Sequence, residues 1–321
     1  MDSDLPARLA RARDRLKHHF GYTDFRPAQR RVIESVLAGR DALAVLPTGA
    51  GKSVCFQIPA LVLEGFTVVV SPLISLMQDQ VQAAVARGIP AALLNSTLDR
   101  ARQQSVLTAV EDGIVKLLYV SPERLDRLVE DLRGRDLRPS LVAVDEAHCI
   151  AEWGHDFRPS YRTLRRARYR LGMPSTIALT GSATAEVRAD IADSLGFSRG
   201  RGRFDMHLAS FDRPSLWFGV CPVKRDRDRL RLLRSVLDGD DRMAIVYAPT
   251  RNVTEGITRG LIRSGYRAAA YHAGLGKDRR HGVLERFLDD RVEVVVATSA
   301  FGMGIDKPTV RLSRCYRMPQ G

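Results

Sequence analysis

Leu46-Pro47-Thr48-Gly49-Ala50-Gly51-Lys52-Ser53 decides how the rest of this chain is read. A β-rich run, Ala42 to Leu46, enters this loop, and an apolar run of helical character, Val54 to Leu61, leaves it. A glycine-bearing loop between a strand and a helix is a phosphate cradle, because successive backbone N–H groups and the helix N-terminus face the anion. Thr48, Gly49, Ala50 and Gly51 form the cradle, Lys52 reaches the phosphate charge, and the Ser53 hydroxyl is placed to hold magnesium. The motif is the short G-x-G-K-[ST] variant, without the first glycine of the long form.

Working outward, short β-rich runs recur at Thr67 to Ser71, Val115 to Val120, Leu141 to Asp145 and Thr176 to Thr180. Helical segments separate them, including 27–38, Leu76 to Arg87 and Arg100 to Glu111. Continuous apolar strands alternating with helices predict an α/β fold with a parallel sheet covered on both faces. A second set follows residue 205, with strands expected at Leu216 to Val220, Met243 to Tyr247, Ala268 to Tyr271 and Val292 to Thr298. Helices are expected at Thr254 to Ser264 and Lys277 to Asp289. The glycine- and arginine-rich stretch Ser198 to Arg203 is the natural linker, giving domains 1–205 and 206–321.

Composition agrees. The chain has 321 residues, 45% of them apolar, which fills two cores and excludes a disordered chain, a disulfide scaffold and a collagen-like repeat. No apolar run approaches a membrane span. The arginine-rich start, Leu5 to Arg13, lacks the apolar core of a secretory signal and reads as a surface helix. Cys55, Cys149, Cys221 and Cys315 lie far apart, so no zinc is expected and reduced cytoplasmic cysteines fit. A net charge of +13 favours polyanionic partners without specifying one.

Asp145-Glu146-Ala147-His148 ends the apolar run Leu141 to Val144. Carboxylates at the C-terminal edge of a parallel strand lie where such sheets bind ligands. Asp145 is suited to hold magnesium through water, and Glu146 to polarise the water that attacks the γ-phosphate. Together with the phosphate loop, the pair points to nucleotide hydrolysis rather than binding alone. A little further on, Arg158, Arg162, Arg166 and Arg170 recur every four residues, a helical stripe whose repulsion neighbouring acids or a polyanion must offset.

The motif series resembles the RecQ-type DNA helicases of helicase superfamily 2 over nearly the whole chain. Phe25-Arg26-Pro27-Ala28-Gln29 is similar to the family's adenine motif, which implies that Gln29 reads the adenine edge and Arg26 packs on the base. Ser71 to Gln80 resembles the motif that in relatives touches the DNA backbone, and implicates Ser71. Cys149-Ile150-Ala151-Glu152-Trp153-Gly154-His155-Asp156-Phe157-Arg158 resembles the aromatic-rich loop that couples single-stranded DNA to hydrolysis. The resemblance makes Trp153 and Phe157 stacking faces, Arg158 a phosphate or acid partner, and His155 a hydrogen-bonding member of that loop. Glu152 departs from the expected glutamine. Leu179 to Thr184 stands at the coupling motif in an altered register that leaves open which hydroxyl acts. Ala297 to Pro308 matches a later motif, in which Thr298 meets the DNA backbone and Asp306 faces the nucleotide or the opposing lobe.

The resemblance therefore implies two RecA-like lobes of the P-loop NTPase type, with ATP and Mg2+ as cofactors. Its substrates would be single-stranded and tailed or branched duplex DNA, with no membrane partner. The family's following arginine motif and zinc-binding and winged-helix region lie beyond Gln320-Gly321, so the second lobe is expected to be incomplete. The expected activity is 3′-to-5′ translocation driven by ATP hydrolysis, in DNA repair or recombination. Two alternatives stand beside it: a fragment that binds ATP and DNA with little unwinding, and an RNA-directed member of the superfamily.

Overall fold

Ala42–Val45 (β1), Thr67–Val70 (β2), Leu117–Val120 (β4) and Leu141–Val144 (β5) are buried at every position. Strands with no polar face belong inside a sheet covered on both sides. The computed structural model describes residues 4–95, 98–151, 159–197, 204–210, 216–223, 226–238, 243–298, 301, 307 and 309–316. The chain divides into two units, Met1–Ser215 and Leu216–Gly321.

In the first unit, Leu5–Phe20 (α1), Pro27–Leu37 (α2), Val54–Val62 (α3) and Ile74–Ala86 (α4) accompany the early strands, and Ala91–Leu94 is β3. Arg100–Glu111 (α5), Leu125–Arg133 (α6) and Leu164–Arg170 (α7) follow, then Ser175–Thr180 (β6), Ala185–Leu195 (α8) and Asp205–Leu208 (β7). All seven strands are parallel, in the order β3-β4-β2-β5-β6-β1-β7. Side-chain alternation splits the core between two faces. Val68, Val70, Val142 and Val144 pack on one side, while Val69, Leu141, Ala143 and Phe56 pack on the other. The order has one consequence for chemistry: β6 lies between β1 and β5, so Thr180 ends between the phosphate loop and the acidic pair.

The second unit carries Asp226–Leu237 (α9), Ala244–Tyr247 (β8), Arg251–Arg263 (α10), Ala268–Tyr271 (β9), Lys277–Leu288 (α11), Val294–Ala297 (β10) and Leu312–Cys315 (β11). Its parallel sheet runs β11-β8-β10-β9. Thr250 starts α10, its hydroxyl accepting from the Val253 amide at 3.3 Å.

Several expectations change. The first unit extends past 205 to Ser215, because β7 pairs with β1 and belongs to the first sheet. The run 216–220 forms no strand: Trp217 and Phe218 are exposed, and no neighbouring strand among the described residues pairs with it. Strands β3, β7 and β11 are edge strands with half-buried patterns; β7 and β11 interrupt their apolar residues with polar ones, and β3 is four residues of alanine and leucine with no β-branched side chain. The arginine stripe is broken too, since α7 begins only at Leu164 after a 3-10 turn over Pro159–Thr163. Arg166 and Arg170 pair with Asp126 and Glu130 of α6 at 3.0 and 2.7 Å, so acids of this chain offset them. Arg158 and the Arg162 side chain lie outside the described residues.

Arg168 points the other way and is only 2% exposed. Its guanidinium donates to both Asp41 oxygens at 2.8 Å and stacks 5.0 Å from the Phe197 ring. Asp41 also accepts from the Thr176 amide at 2.8 Å, joining the start of β6 to the residue before β1. Removing one partner of a buried pair strands the other charge in a dry interior. Asp41→Ala is predicted to destabilise the first unit by about 3–5 kcal/mol. The check is the shift of the urea unfolding midpoint against wild type.

Candidate active site

The phosphate loop folds as its glycines allow. Gly49 and Gly51 adopt φ of +81° and +77°. The Ala50 amide closes a turn onto the Pro47 carbonyl at 3.0 Å, and the amides of Val54 and Cys55 return to the Gly51 and Lys52 carbonyls as α3 begins. Ser53 is the N-cap of α3 yet its side chain makes no capping bond, which leaves the hydroxyl available for a ligand. Lys52 Nζ lies 3.5 Å from the Leu46 carbonyl. Just inside the loop, burial pushes the Cys55 thiol up to about 12, against the nearby Lys52 charge, so it is an inert core group.

Arg26 and Gln29 both meet the phosphate loop. The Gln29 amide donates to the Ala50 and Gly51 carbonyls at 3.0 and 3.2 Å, while its oxygen accepts from the Arg26 amide at 3.0 Å. Arg26 donates to the Gly49 carbonyl at 2.5 Å. In this structure Gln29 is a strut between α2 and the loop, with both ends of its amide engaged. The positive φ favours glycine at 51, and a β-carbon there would also displace the Gln29 amide from the loop.

Asp145, one residue past β5, is 4% exposed. Its carboxylate accepts from Gln80 Nε2 at 2.9 Å and from the Glu146 amide at 3.0 Å. Burial, then the Glu146 charge, push the Asp145 carboxyl above its ordinary value; Gln80, the Glu146 amide and Lys52 oppose that. Glu146 takes a left-handed backbone, φ +48°, rare for a residue with a side chain and a mark of strain at functional sites. Burial alone would raise its carboxyl, but the hydrogen bond from His148 and the Lys52 charge overcome it and hold the group below the ordinary value.

His148 Nδ1 stands 3.3 Å from Glu146 Oε2 and 3.1 Å from Thr180 Oγ1. Thr180 in turn donates to the Ser182 carbonyl at 3.0 Å. The acidic motif and the coupling motif are thus joined through one imidazole. Among the hydroxyls of 179–184, Thr180 is the one that contacts the site, while Thr184 caps α8. Gly181 completes the enclosure: a β-carbon there would come 3.4 Å from Lys52 Nζ and 3.7 Å from Thr48 Oγ1.

A divalent cation and a nucleoside triphosphate fit these residues. The dry Asp145 carboxylate and the uncapped Ser53 hydroxyl are both hard-oxygen donors. The Gln80 side-chain oxygen, on the amide that holds Asp145, is buried with no hydrogen-bond partner, as suits a place for a hydrated cation.

Other sequence candidates fall elsewhere. Ser71 is fully buried, its amide donating to the Val120 carbonyl at 3.2 Å, so it presents no group to a DNA backbone here. Thr298 is half-buried at the end of β10, and its amide donates to the Tyr271 carbonyl at 3.2 Å. Trp153, His155, Phe157, Arg158 and Asp306 lie outside the described residues. Gln80, His148 and Thr180 are site residues that motif reading quoted without a role. Their partners depend on strand order, which no local pattern encodes.

Comparison with known proteins fits this geometry. A family model described as DEAD/DEAH box helicase matches residues 26–191, and one described as Helicase conserved C-terminal domain matches 228–321. The chain belongs to the DEAD/DEAH box helicase family. Its resemblance to RecQ-type helicases holds along its length. It is 43% identical to the ATP-dependent DNA helicase RecQ of Bacillus subtilis over 97% of this chain and 52% of the relative. Identity is 42% to the RecQ of Pasteurella multocida, over 96% and 48%, and 38% to the RecQ-like DNA helicase blm-1 of Caenorhabditis elegans, over 96% and 32%. The chain spans about half the length of the bacterial RecQ relatives it matches. Solved structures agree on the fold. S. cerevisiae Dbp5 bound to Gle1 gives a TM-score of 0.75 at 15% identity, covering 99% of this chain and 79% of that one. The Mycobacterium smegmatis helicase Lhr, bound to ssDNA and AMP-PNP, gives 0.65 at 20%, covering 98% and 44%. Among the described residues no helix is long and apolar enough to cross a membrane.

The His148 contacts carry a pH signature. The Cys149 sulfur, followed by the hydrogen bond to Glu146, outweighs burial and pushes His148 up to about 10 from an ordinary 6.5. A raised histidine stabilises the fold fully below the ordinary value, and that contribution is lost as pH rises through the folded value. The melting temperature of wild type should therefore exceed that of His148→Gln most at pH 6, with the gap closing by pH 10. A gap independent of pH would contradict the ion pair.

Proposed function

We propose that this chain binds and hydrolyses ATP at the first unit's phosphate loop and couples turnover to 3′-to-5′ movement along single-stranded DNA. One observation carries the nucleotide chemistry: Lys52 and the pair Asp145-Glu146 come from two distant segments of sequence yet share one electrostatic site, with the Lys52 charge acting on both carboxyls. The DNA substrate, including tailed or branched duplexes, rests on the DNA helicases named among the relatives. Work in DNA repair or recombination, in the cytoplasm, belongs to the same proposal.

In this reading Lys52 and the loop amides hold the β- and γ-phosphates. Asp145 and Ser53 would hold Mg2+, which supplies charge neutralisation on the transferring phosphoryl group. Glu146 is ionised and orients the attacking water, accepting its proton as the bond to phosphorus forms. His148 reports that event to Thr180, because a proton taken up by Glu146 weakens its bond to the imidazole. Thr180 is the last residue of β6, and the segment after it passes over Lys52.

The test is ATP hydrolysis with and without single-stranded DNA. Glu146→Gln should retain Mg·ATP binding and lose turnover by about 10²–10⁴-fold, the scale of a lost general base. Lys52→Ala should lose binding as well. DNA-stimulated turnover by wild type, absent from both variants, supports the proposal. Wild-type turnover at the level of the variants would contradict it and leave a nucleotide-binding unit.

A further inference from the structure

The second sheet ends at β9, and among the described residues no strand pairs with its outer side. The Arg267 carbonyl accepts from the Glu293 and Val294 amides at 2.9 and 3.3 Å, and the Tyr271 carbonyl from Thr298 at 3.2 Å. Those residues face inward to β10, so by alternation Ala268 and Ala270 turn their backbone groups to the open edge. The Ala268 amide folds back onto the Tyr266 carbonyl at 2.9 Å. The Ala268 carbonyl and both polar groups of Ala270 remain as a template for another strand.

A cleft of about 350 Å³ runs along this edge. Helices α10 and α11 belong to the cores on opposite faces of the sheet, and both overhang β9. Alanines 268–270 and Val283 line the cleft with short apolar groups, and half-exposed Ile262 adds an aliphatic lip. The polar rim is lopsided. Arg259, Arg279 and Arg286 face one carboxylate, Glu255, which already stands 3.6 Å from Arg259 and 3.4 Å from His272.

We propose that this cleft binds an extended, acidic peptide segment that adds to β9 as a further strand. Backbone pairing with Ala268 and Ala270 supplies register; alternate side chains fall on opposite faces, so acidic ones on the α11 face meet Arg279 and Arg286 while small or aliphatic ones on the other face lie against the alanines and Ile262. Complementary charge selects the occupant: a basic peptide would meet the same arginines with repulsion. The site is confined to the second unit and is independent of the nucleotide chemistry above.

The test uses the whole chain and three fluorescent probes: a short peptide alternating Asp and Val, its Lys and Val counterpart, and a single-stranded oligonucleotide. The acidic peptide should bind, the basic one should not, and Arg279→Glu/Arg286→Glu should weaken binding by at least about tenfold with the melting temperature unchanged. Hydrogen exchange should show the Ala270 amide protected only when the acidic peptide is present. Absent peptide binding would mean that the arginines merely guard an edge strand, and would overturn the proposal. So would peptide binding that survives the charge reversal, or an oligonucleotide that alone loses affinity in the double variant.

Discussion

A dry carboxylate has to be held at the end of β5, and much of the first unit follows from that. Asp145 is almost fully buried, so its charge is costly where it sits. Gln80 of α4 and the Glu146 amide each donate to it, and Lys52 supplies the nearest positive charge. Glu146 adds a second negative charge beside it and raises its carboxyl further. Such an arrangement is poised for a cation. His148 draws Glu146 toward Thr180, which separates the tasks of the two acids despite their adjacency in sequence.

The sheet order turns separate motifs into one device. Because β6 lies between β1 and β5, whatever follows Thr180 is placed between the lysine and the acids. Because β2 neighbours β5, the helix that follows β2 brings Gln80 to Asp145. Ser71, at the turn between β2 and α4, is buried in that assembly and serves its geometry. At the far end of the strands, Arg168 and Asp41 tie the starts of β1 and β6, so the central strands are fixed at both ends.

What the amino-acid order disclosed and what it hid divide along a physical line. The loop Gly49 to Ser53 and the pair Asp145-Glu146 were legible because their chemistry is local, and the buried central strands because no polar face interrupts them. Gln29 shows the limit. Its motif was recognisable, but its engagement of the loop carbonyls depends on how α2 packs. The roles of Gln80, His148 and Thr180 were hidden for the same reason. Edge strands β7 and β11 carry too little apolar signal and β3 lacks β-branched residues, whereas 216–220 carries a strand's signal without a strand partner among the described residues. The units divide at Ser215 rather than at 205 because β7, beyond a glycine-rich stretch, returns to the first sheet, a long-range pairing that no local composition encodes.

We propose that Asp145 and Lys52 form a site completed by a metal-bound triphosphate. The most direct measurement is the shift in melting temperature of the chain with ATP alone, Mg2+ alone and both together. Mg·ATP should raise it well above the sum of the separate effects, and Asp145→Asn should lose that excess, since only the native state offers the joint site. Equal stabilisation of wild type and Asp145→Asn by Mg·ATP would contradict it.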